Sequence, residues 1–511
     1  MMRLILLMLM CAGPVLAQPF RAVETNLPGL VFGAIELADI DLDGRLDVIV
    51  TRTAHTDTTV TGNPSLRVHL NRGLVNGRLE FEEVQRRLDG YFLPSLNVKD
   101  IDGDSDVDIV VSGRNDAGRL QTSIYENTSA GTLQLASALS MGLPGASKNG
   151  GILEVVNEKA MALADLDNDG DLDAVTLVSG ASMLGVFRND GNAFTEIAGV
   201  PNKQAVNGIL QAGDVDNDGD IDILVADRRA EGTPETYILV NEGNFVFSVL
   251  DAGLPGVDFG SVTWADMDND GDLDVLVSGG DVTPESGEAE TQVQGIYRND
   301  NGTFNRLDVP FGLHSTFVDF DNDGDLDVLS NTYSEERNLH VFLLRNDGTG
   351  QFDRVPEVLP GVWWGAIKVG DLDNDGDMDV LLAGEDLGGS AGKRQGDDDV
   401  QAPFLRMYLN EASAVNNEPA PPQDLQATFL GDQALFEWTP GLDAETSVAG
   451  LTYNLRVGTT PGGDDVLASA SHTSGIRMVS APGNVGHNLA WTVNGLDPNI
   501  EYFWSVQAVD A

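Results

Sequence analysis

The apolar residues of this chain fall in short runs that alternate with polar residues or are continuously β-branched, the pattern of half-buried and buried strands. Ser261-Val-Thr-Trp-Ala265 is one such run. An acidic segment, D-x-D-x-D-G-x-x-D, then turns the chain into the β-branched run Asp274-Val-Leu-Val277. A third run ends at an asparagine, an Asn-Asp-Gly type turn follows (Asn346-Asp-Gly348), and a fourth run is led by Phe. The pattern predicts four antiparallel strands per unit.

The unit recurs. The acidic phrase starts at Asp39, Asp100, Asp165, Asp214, Asp266, Asp319 and Asp371. The strand ending in asparagine recurs at Asn71, Asn127, Asn189, Asn241, Asn299, Asn346 and Asn410. The Phe-led strand recurs at Phe20, Phe81, Phe194, Phe247, Phe304 and Phe352, with a weaker copy at Leu133. Each count gives seven. Four strands at a period near 50 residues predict one propeller blade per unit. No Phe strand follows Asn410, and no asparagine phrase precedes the Phe strand from Phe20 to Leu30. Pairing the two would complete the seventh sheet and leave no open edge.

Charge sharpens the picture. The 511 residues carry a formal charge of −52, and 34 of the aspartates lie in the seven acidic phrases, so the remainder carries only −18. Adaptation to high salt would scatter Asp and Glu over all surfaces; here they are concentrated. A nucleic-acid partner is excluded, because binding one requires a basic footprint.

Calcium takes six to eight hard oxygen ligands, and alternating aspartates on a tight turn supply them. The candidate ligands are Asp39, Asp41, Asp43, Arg45 (through its carbonyl) and Asp47 in the first loop, and Asp100, Asp102, Asp104, Asp106 and Asp108 in the second. The third offers Asp165, Asp167, Asp169, Asp171 and Asp173; the fourth Asp214, Asp216, Asp218, Asp220 and Asp222. The fifth offers Asp266, Asp268, Asp270, Asp272 and Asp274, the sixth Asp319, Asp321, Asp323, Asp325 and Asp327, and the seventh Asp371, Asp373, Asp375, Asp377 (through its backbone carbonyl) and Asp379. Up to seven Ca²⁺ ions are expected, all structural. An EF-hand is excluded, since its closing Glu stands at the twelfth place between helices; here the closing carboxylate is ninth and a strand follows. The second loop has Ser105 in place of Gly and Gly103 in place of Asn, so a weaker site is expected there.

These repeats resemble the FG-GAP and VCBS repeats of integrin α-subunit-like propellers. Phe32-Gly33 and Phe259-Gly260 resemble the family's FG element, and Trp364-Gly365 and Asn207-Gly208 stand in the equivalent place. The resemblance implies a ligand on the face opposite the calcium loops. Loop-length variation lies on that face too, at Thr51 to Pro64, Gly142 to Glu158, Gly280 to Gln292 and Ala383 to Ala402. Tyr91, Phe92, Phe311, His314, Trp363 and Trp364 lie in or beside those loops, where they would either stack on sugar rings or pack at the top of the ring.

Arg3, the apolar run Leu4 to Met10, and the small residues Val15 and Ala17 read as an export signal over residues 1–17, cleaved before Gln18. Secretion or display at the cell surface is expected. Met10 is too bulky for the usual lipoprotein box before Cys11. Cys11 is the one cysteine, so disulfides, thiolate nucleophiles and zinc–sulfur sites are absent from the processed chain. No later segment approaches the length of a membrane span.

The propeller is assigned to residues 18–410 and a Pro-rich linker to 411–422. In residues 423–511, Trp438 fits the core tryptophan of a fibronectin type III domain, and Leu496, Pro498 and Tyr502 fit the corner before its penultimate strand. The fold class expected is therefore all-β, a seven-bladed β-propeller followed by an immunoglobulin-like (fibronectin type III) β-sandwich. The sequence reaches Ala511 about where the last strand would begin, so a longer parent protein is expected.

Two function classes follow. The first is a non-catalytic adhesion or ligand-binding module for an extracellular protein or glycan. The alternative is a carbohydrate-binding lectin, or the propeller of a polysaccharide lyase-type enzyme. The processed chain has six histidines and no G-x-S-x-G elbow or H-E-x-x-H pair, so no catalytic residue is assigned.

Overall fold

The computed structural model describes residues 20–510 apart from 30–32, 53–54, 57–58, 61–63, 85–87, 116, 129–131, 136–141, 147–159, 179–182, 192, 202–207, 229–233, 258, 283–288, 310–311, 313, 334–338, 386–402 and 412–415. The export signal, Phe32, Asn207, Phe311 and most of the four variable loops lie outside the described residues, as do the side chains of Phe259, Trp363 and Trp364.

Among the described residues the chain is all strand and turn, and no helix is long and apolar enough to cross a membrane. Seven antiparallel sheets succeed one another, each with a four-strand path. In the sixth, His314–Val318 pairs with Asp327–Tyr333, which pairs with Leu339–Asn346, which pairs with Phe352–Pro360. The first strand of each sheet touches the first strand of the next, and Trp363–Gly370 in the seventh returns to Ile35–Ala38 in the first. The circuit closes, and the architecture is propeller-like.

Closure explains the sequence pattern of the strands. A sheet held between two neighbours is covered on both faces, so its central strands are continuously apolar. Val48, Ile49 and Val50 are all buried, as are Val275, Leu276 and Val277. The seventh sheet is completed from the other end of the chain: Phe20 pairs with Asn410, Arg21 with Leu409, Ala22 with Tyr408 and Val23 with Met407. This strand is shorter than expected, Phe20–Val23 rather than Phe20 to Leu30. The chain has to cross to the first sheet, where Thr25 bridges Leu79 and the Asn26 side chain bonds both N–H and C=O of Phe81. The weak Leu133 copy is a true fourth strand, Leu133–Leu135, and part of Thr51 to Pro64 forms a small hairpin, His55–Thr56 with Thr59–Val60.

Residues 423–510 form two small antiparallel sheets, Gln423–Leu430, Gln433–Thr439 and Ala490–Val493 in one, Thr452–Gly458 and Phe503–Val509 in the other. Trp438 is buried against Tyr453, with ring centroids 5.8 Å apart, and Phe436 lies 4.9 Å from Trp504. The Tyr502 hydroxyl accepts the Asp497 N–H at 2.8 Å, tying the corner before the last strand. This module does not hang free on its linker. Its buried side chains and those of the second to fourth propeller sheets belong to one continuous cluster.

Candidate metal centres in the acidic loops

Each acidic phrase forms the turn between the first and second strands of its sheet. The fold of the turn follows from two left-handed residues. The fourth place takes φ between 56° and 61° in five loops with Asn there, and Leu42 and Gly103 adopt the same region. The sixth place is Gly in six loops and Ser105, at φ 74°, in the second. Asn and Gly are the residues that enter this region most readily, which is why they recur. Leu42 and Ser105 adopt it at some cost.

The first aspartate organises the turn. Asp39 accepts the N–H of Asp43 at 3.0 Å and of Gly44 at 2.8 Å, and Asp266 accepts those of Asp270 and Gly271 at 3.0 and 2.8 Å. The fifth aspartate accepts the N–H of the seventh residue, as in Asp43 with Arg45 at 3.0 Å. The ninth aspartate is wholly buried in all seven loops. It accepts the N–H of the second residue on one oxygen and of the recurring asparagine on the other: Asp47 from Ile40 at 2.9 Å and Asn71 at 2.7 Å, and Asp327 from Phe320 and Asn346.

The third aspartate differs. Asp41, Asp167, Asp268, Asp321 and Asp373 each bury an Oδ1 that has no hydrogen-bond partner. In several loops this residue is brought together with its neighbours: one carboxylate oxygen each of Asp39, Asp41 and Asp43 lies within 4.8 Å of the others, and so do those of Asp100, Asp102 and Asp108, of Asp165, Asp167 and Asp173, of Asp214, Asp216 and Asp218, and of Asp266, Asp268 and Asp274. A buried, unpartnered carboxylate oxygen facing other carboxylates costs free energy unless a cation meets it. Burial, with mutual repulsion added, pushes these acids up: Asp165 to about 8, Asp100 and Asp319 to about 7, Asp167 and Asp321 to about 6. Burial likewise pushes Asp47 to about 8 and Asp327 to about 9, although both gain N–H bonds that pull the other way. A divalent cation supplies the opposite charge that would keep such a cluster ionised. The residues present fit a hard, oxygen-seeking ion.

In three loops the seventh-place side chain is engaged by the neighbouring loop. Asp220, Asp272 and Asp325 each accept the fourth-place asparagine of the preceding loop: Asn168, Asn217 and Asn269, at 2.9, 3.2 and 2.8 Å. The same asparagines reach the neighbouring Gly carbonyl, and Asn374 reaches Gly44 at 2.6 Å, linking the seventh loop to the first. In the second loop Asp106 instead turns inward, where burial and then Asp104 push it to about 8. Two guanidiniums occupy the first loop: Arg45 pairs with Asp43 at 2.9 Å and Arg72 with Asp41 at 2.7 Å.

Sequence reasoning used the recurring asparagine only as a counter; the structure gives it a job. Its side chain donates to the second-place carbonyl of the preceding sheet's loop, as Asn127 to Ile40 at 2.8 Å, Asn346 to Met267 at 2.6 Å and Asn410 to Phe320 at 2.6 Å. Asn71 bonds Leu372 at 2.8 Å across the seam of the ring. Of the aromatics expected beside the variable loops, Tyr91 is buried with its hydroxyl bonded to Ser123, which is packing rather than display.

The ninth-place aspartate has a structural role that can be separated from metal. Asp327→Ala leaves the Phe320 and Asn346 N–H groups buried without acceptors, at about 1–3 kcal/mol each. Urea unfolding in chelator is expected to show a loss of about 4 kcal/mol for Ala and a clearly smaller one for Asn. Equal stability of Asp327→Ala and the parent under those conditions would remove this role.

Four stretches of the sequence match the FG-GAP-like repeat family, residues 100–176, 165–225, 214–277 and 319–382, so that six of the seven acidic loops fall inside a match. No curated protein matches the sequence. Lectins occur among the solved structures it is similar to. The BP39L lectin of Burkholderia pseudomallei has a TM-score of 0.42 and 11% identity, over 76% of this chain and 98% of that one. The Aleuria aurantia lectin, in complex with α-methyl-L-fucoside, has a TM-score of 0.34 and 10% identity, over 66% of this chain and 98% of that one. A thermostable family-43 glycoside hydrolase has a TM-score of 0.27 and 12% identity, over 56% of this chain and 96% of that one.

Proposed function

We propose that the chain is a secreted or cell-surface, seven-bladed β-propeller that binds calcium in its acidic loops, carries a fibronectin type III-like module, and acts as a non-catalytic ligand-binding protein. The observation that carries the metal part is the unpartnered, buried Oδ1 recurring at the third place of five loops. Magnesium fits less well, since it keeps most of its water and demands stricter geometry. The first loop, with Arg72 and Arg45 already against Asp41 and Asp43, fills last. Calorimetric titration of the chelator-treated chain tests this. Several equivalents of calcium should bind, and Asp321→Asn should remove one. No uptake at millimolar calcium ends the reading.

The ligand face is placed opposite the acidic loops, on the side of the variable connections. Carbohydrate is the first class to try there, and an extracellular protein the second. A glycan array probed with the purified full chain is expected to give saturable binding to a restricted set of sugars. Silence across the array, with capture of an extracellular protein, would transfer the role to protein adhesion.

A further inference from the structure

The C-terminal module sits on the acidic-loop face and touches six of the seven loops. Met478 accepts the Asp39 N–H at 2.8 Å, and Val479 bridges Ala38, in the first. Ser105 of the second donates to Asp464. Asn494 bonds the Asp167 and Asn168 carbonyls of the third at 2.7 and 2.6 Å, and Asn488 donates to Asp214 of the fourth at 2.9 Å. Ser447 donates to the Asn269 carbonyl of the fifth at 3.0 Å, and the glycine of the sixth, Gly324, lies against the Glu445–Thr446 backbone.

Electrostatics makes this docking a problem. Residues 423–511 hold ten carboxylates against two arginines, a net charge of −8, and they face the most acidic surface of the molecule. Neither arginine is offered across the interface: Arg456 is buried against Asp464 of its own module at 3.1 Å, and Arg477 donates to the Val479 and Ala481 carbonyls beside it. The groups that do cross are neutral donors, backbone, the Asp464 carboxylate, and His487, whose Nε2 lies 4.0 Å from Asp266 and which burial pushes towards its neutral form. They read the shape of the loops and do not offset their charge. Like-signed surfaces within a Debye length, about 8–10 Å, repel. Seven divalent ions would add fourteen positive charges to that face and fix the carbonyls that Asn494 and Ser447 recognise.

We propose that the acidic-loop face is the receptor for the chain's own C-terminal module, and that divalent-cation loading of the loops is what seats the module there. This rests on the metal reading above. Binding linkage then requires reciprocity: whatever cation loading adds to docking, docking adds to cation affinity by the same factor.

The test is hydrogen exchange on the full chain, with and without chelator, beside calorimetric calcium titration of the same samples. Chelation should speed exchange about tenfold or more at 443–450, 464–467, 485–489 and 494–496, while the module's own strands 452–458, 490–493 and 503–509 stay protected, and calcium should reverse it. Gly450→Leu provides the second arm. A Cβ at Gly450 would stand 1.8 Å from Asn269 Oδ1, so the variant opposes docking without changing any loop carboxylate. It should open the interface segments even with calcium present and weaken calcium affinity about tenfold by the reciprocal relation. Calcium binding in the calorimeter with no change at the interface segments overturns the linkage and leaves the metal reading standing, as does unaltered calcium affinity in Gly450→Leu. Exchange rising through the whole module at once signals unfolding rather than undocking and also overturns it. No calcium binding at all overturns both readings.

Discussion

Stripping divalent cations from the full chain will lower its melting temperature by about 12 °C. At about 1 mM calcium and a dissociation constant near 0.1 mM, typical of extracellular modules, each site stabilises the folded state by about 1.4 kcal/mol through mass action. Seven independent sites give on the order of 10 kcal/mol. Unfolding entropy of about 2.1 cal/mol/K per residue over about 390 residues converts that to roughly 12 °C. The structure gives the reason for the size of the effect. In each loop the first and fifth aspartates accept N–H bonds that shape the turn, so the turn persists without metal. In five loops one oxygen of the third carboxylate has no such partner, and it faces the neighbouring carboxylates. Differential scanning calorimetry with calcium, with chelator, and with chelator followed by excess calcium decides the matter. A midpoint that does not move between the first two removes metal from the stability of the fold.

The sequence was informative where a residue type has one physical use. Alternating aspartates with a glycine marked every turn between first and second strands, and β-branched runs marked the strands that neighbours cover on both faces. Register also followed: the unpaired Phe20 run and the unpaired Asn410 run had only each other to satisfy their backbone groups. What could not be read was the use of residues with several roles. An asparagine after a strand is an ordinary turn residue, and nothing local says that Asn346 reaches Met267, 79 positions away, to tie two sheets together. The seventh place reads as offering a backbone carbonyl, and nothing local says what its side chain does: Asp272 and Asp325 serve the neighbouring loop. Docking of the C-terminal module was hidden for a related reason. Its contacts are made by Asn488, Asn494, Ser447 and backbone groups, which carry no pattern, and its charge argues against the surface it meets.

Removing residues 20–23 opens the ring, and the expected result is a less stable protein that self-associates. Phe20 and Val23 are buried between the seventh sheet and its neighbours, and their loss forfeits about 4 kcal/mol at 1.5–3 kcal/mol per large apolar side chain. By the entropy used above, that lowers the melting temperature by about 5 °C. The larger consequence is geometric. Pro403–Asn410 would become an edge, presenting a row of free N–H and C=O groups along an apolar strand, with Met407 and Leu409 newly uncovered. Edges of this kind pair with whatever strand arrives, a second copy included. Arg21→Ala is the control, because Arg21 is half-exposed and its 2.6 Å contact with Glu411 is a surface pair worth little. Size-exclusion chromatography with light scattering should find the deletion variant as oligomers and the Arg21→Ala protein in the parent's state. If the deletion variant keeps both the parent's mass and its melting temperature, Phe20–Val23 does not close the ring in solution. The seventh sheet must then be stable with three strands.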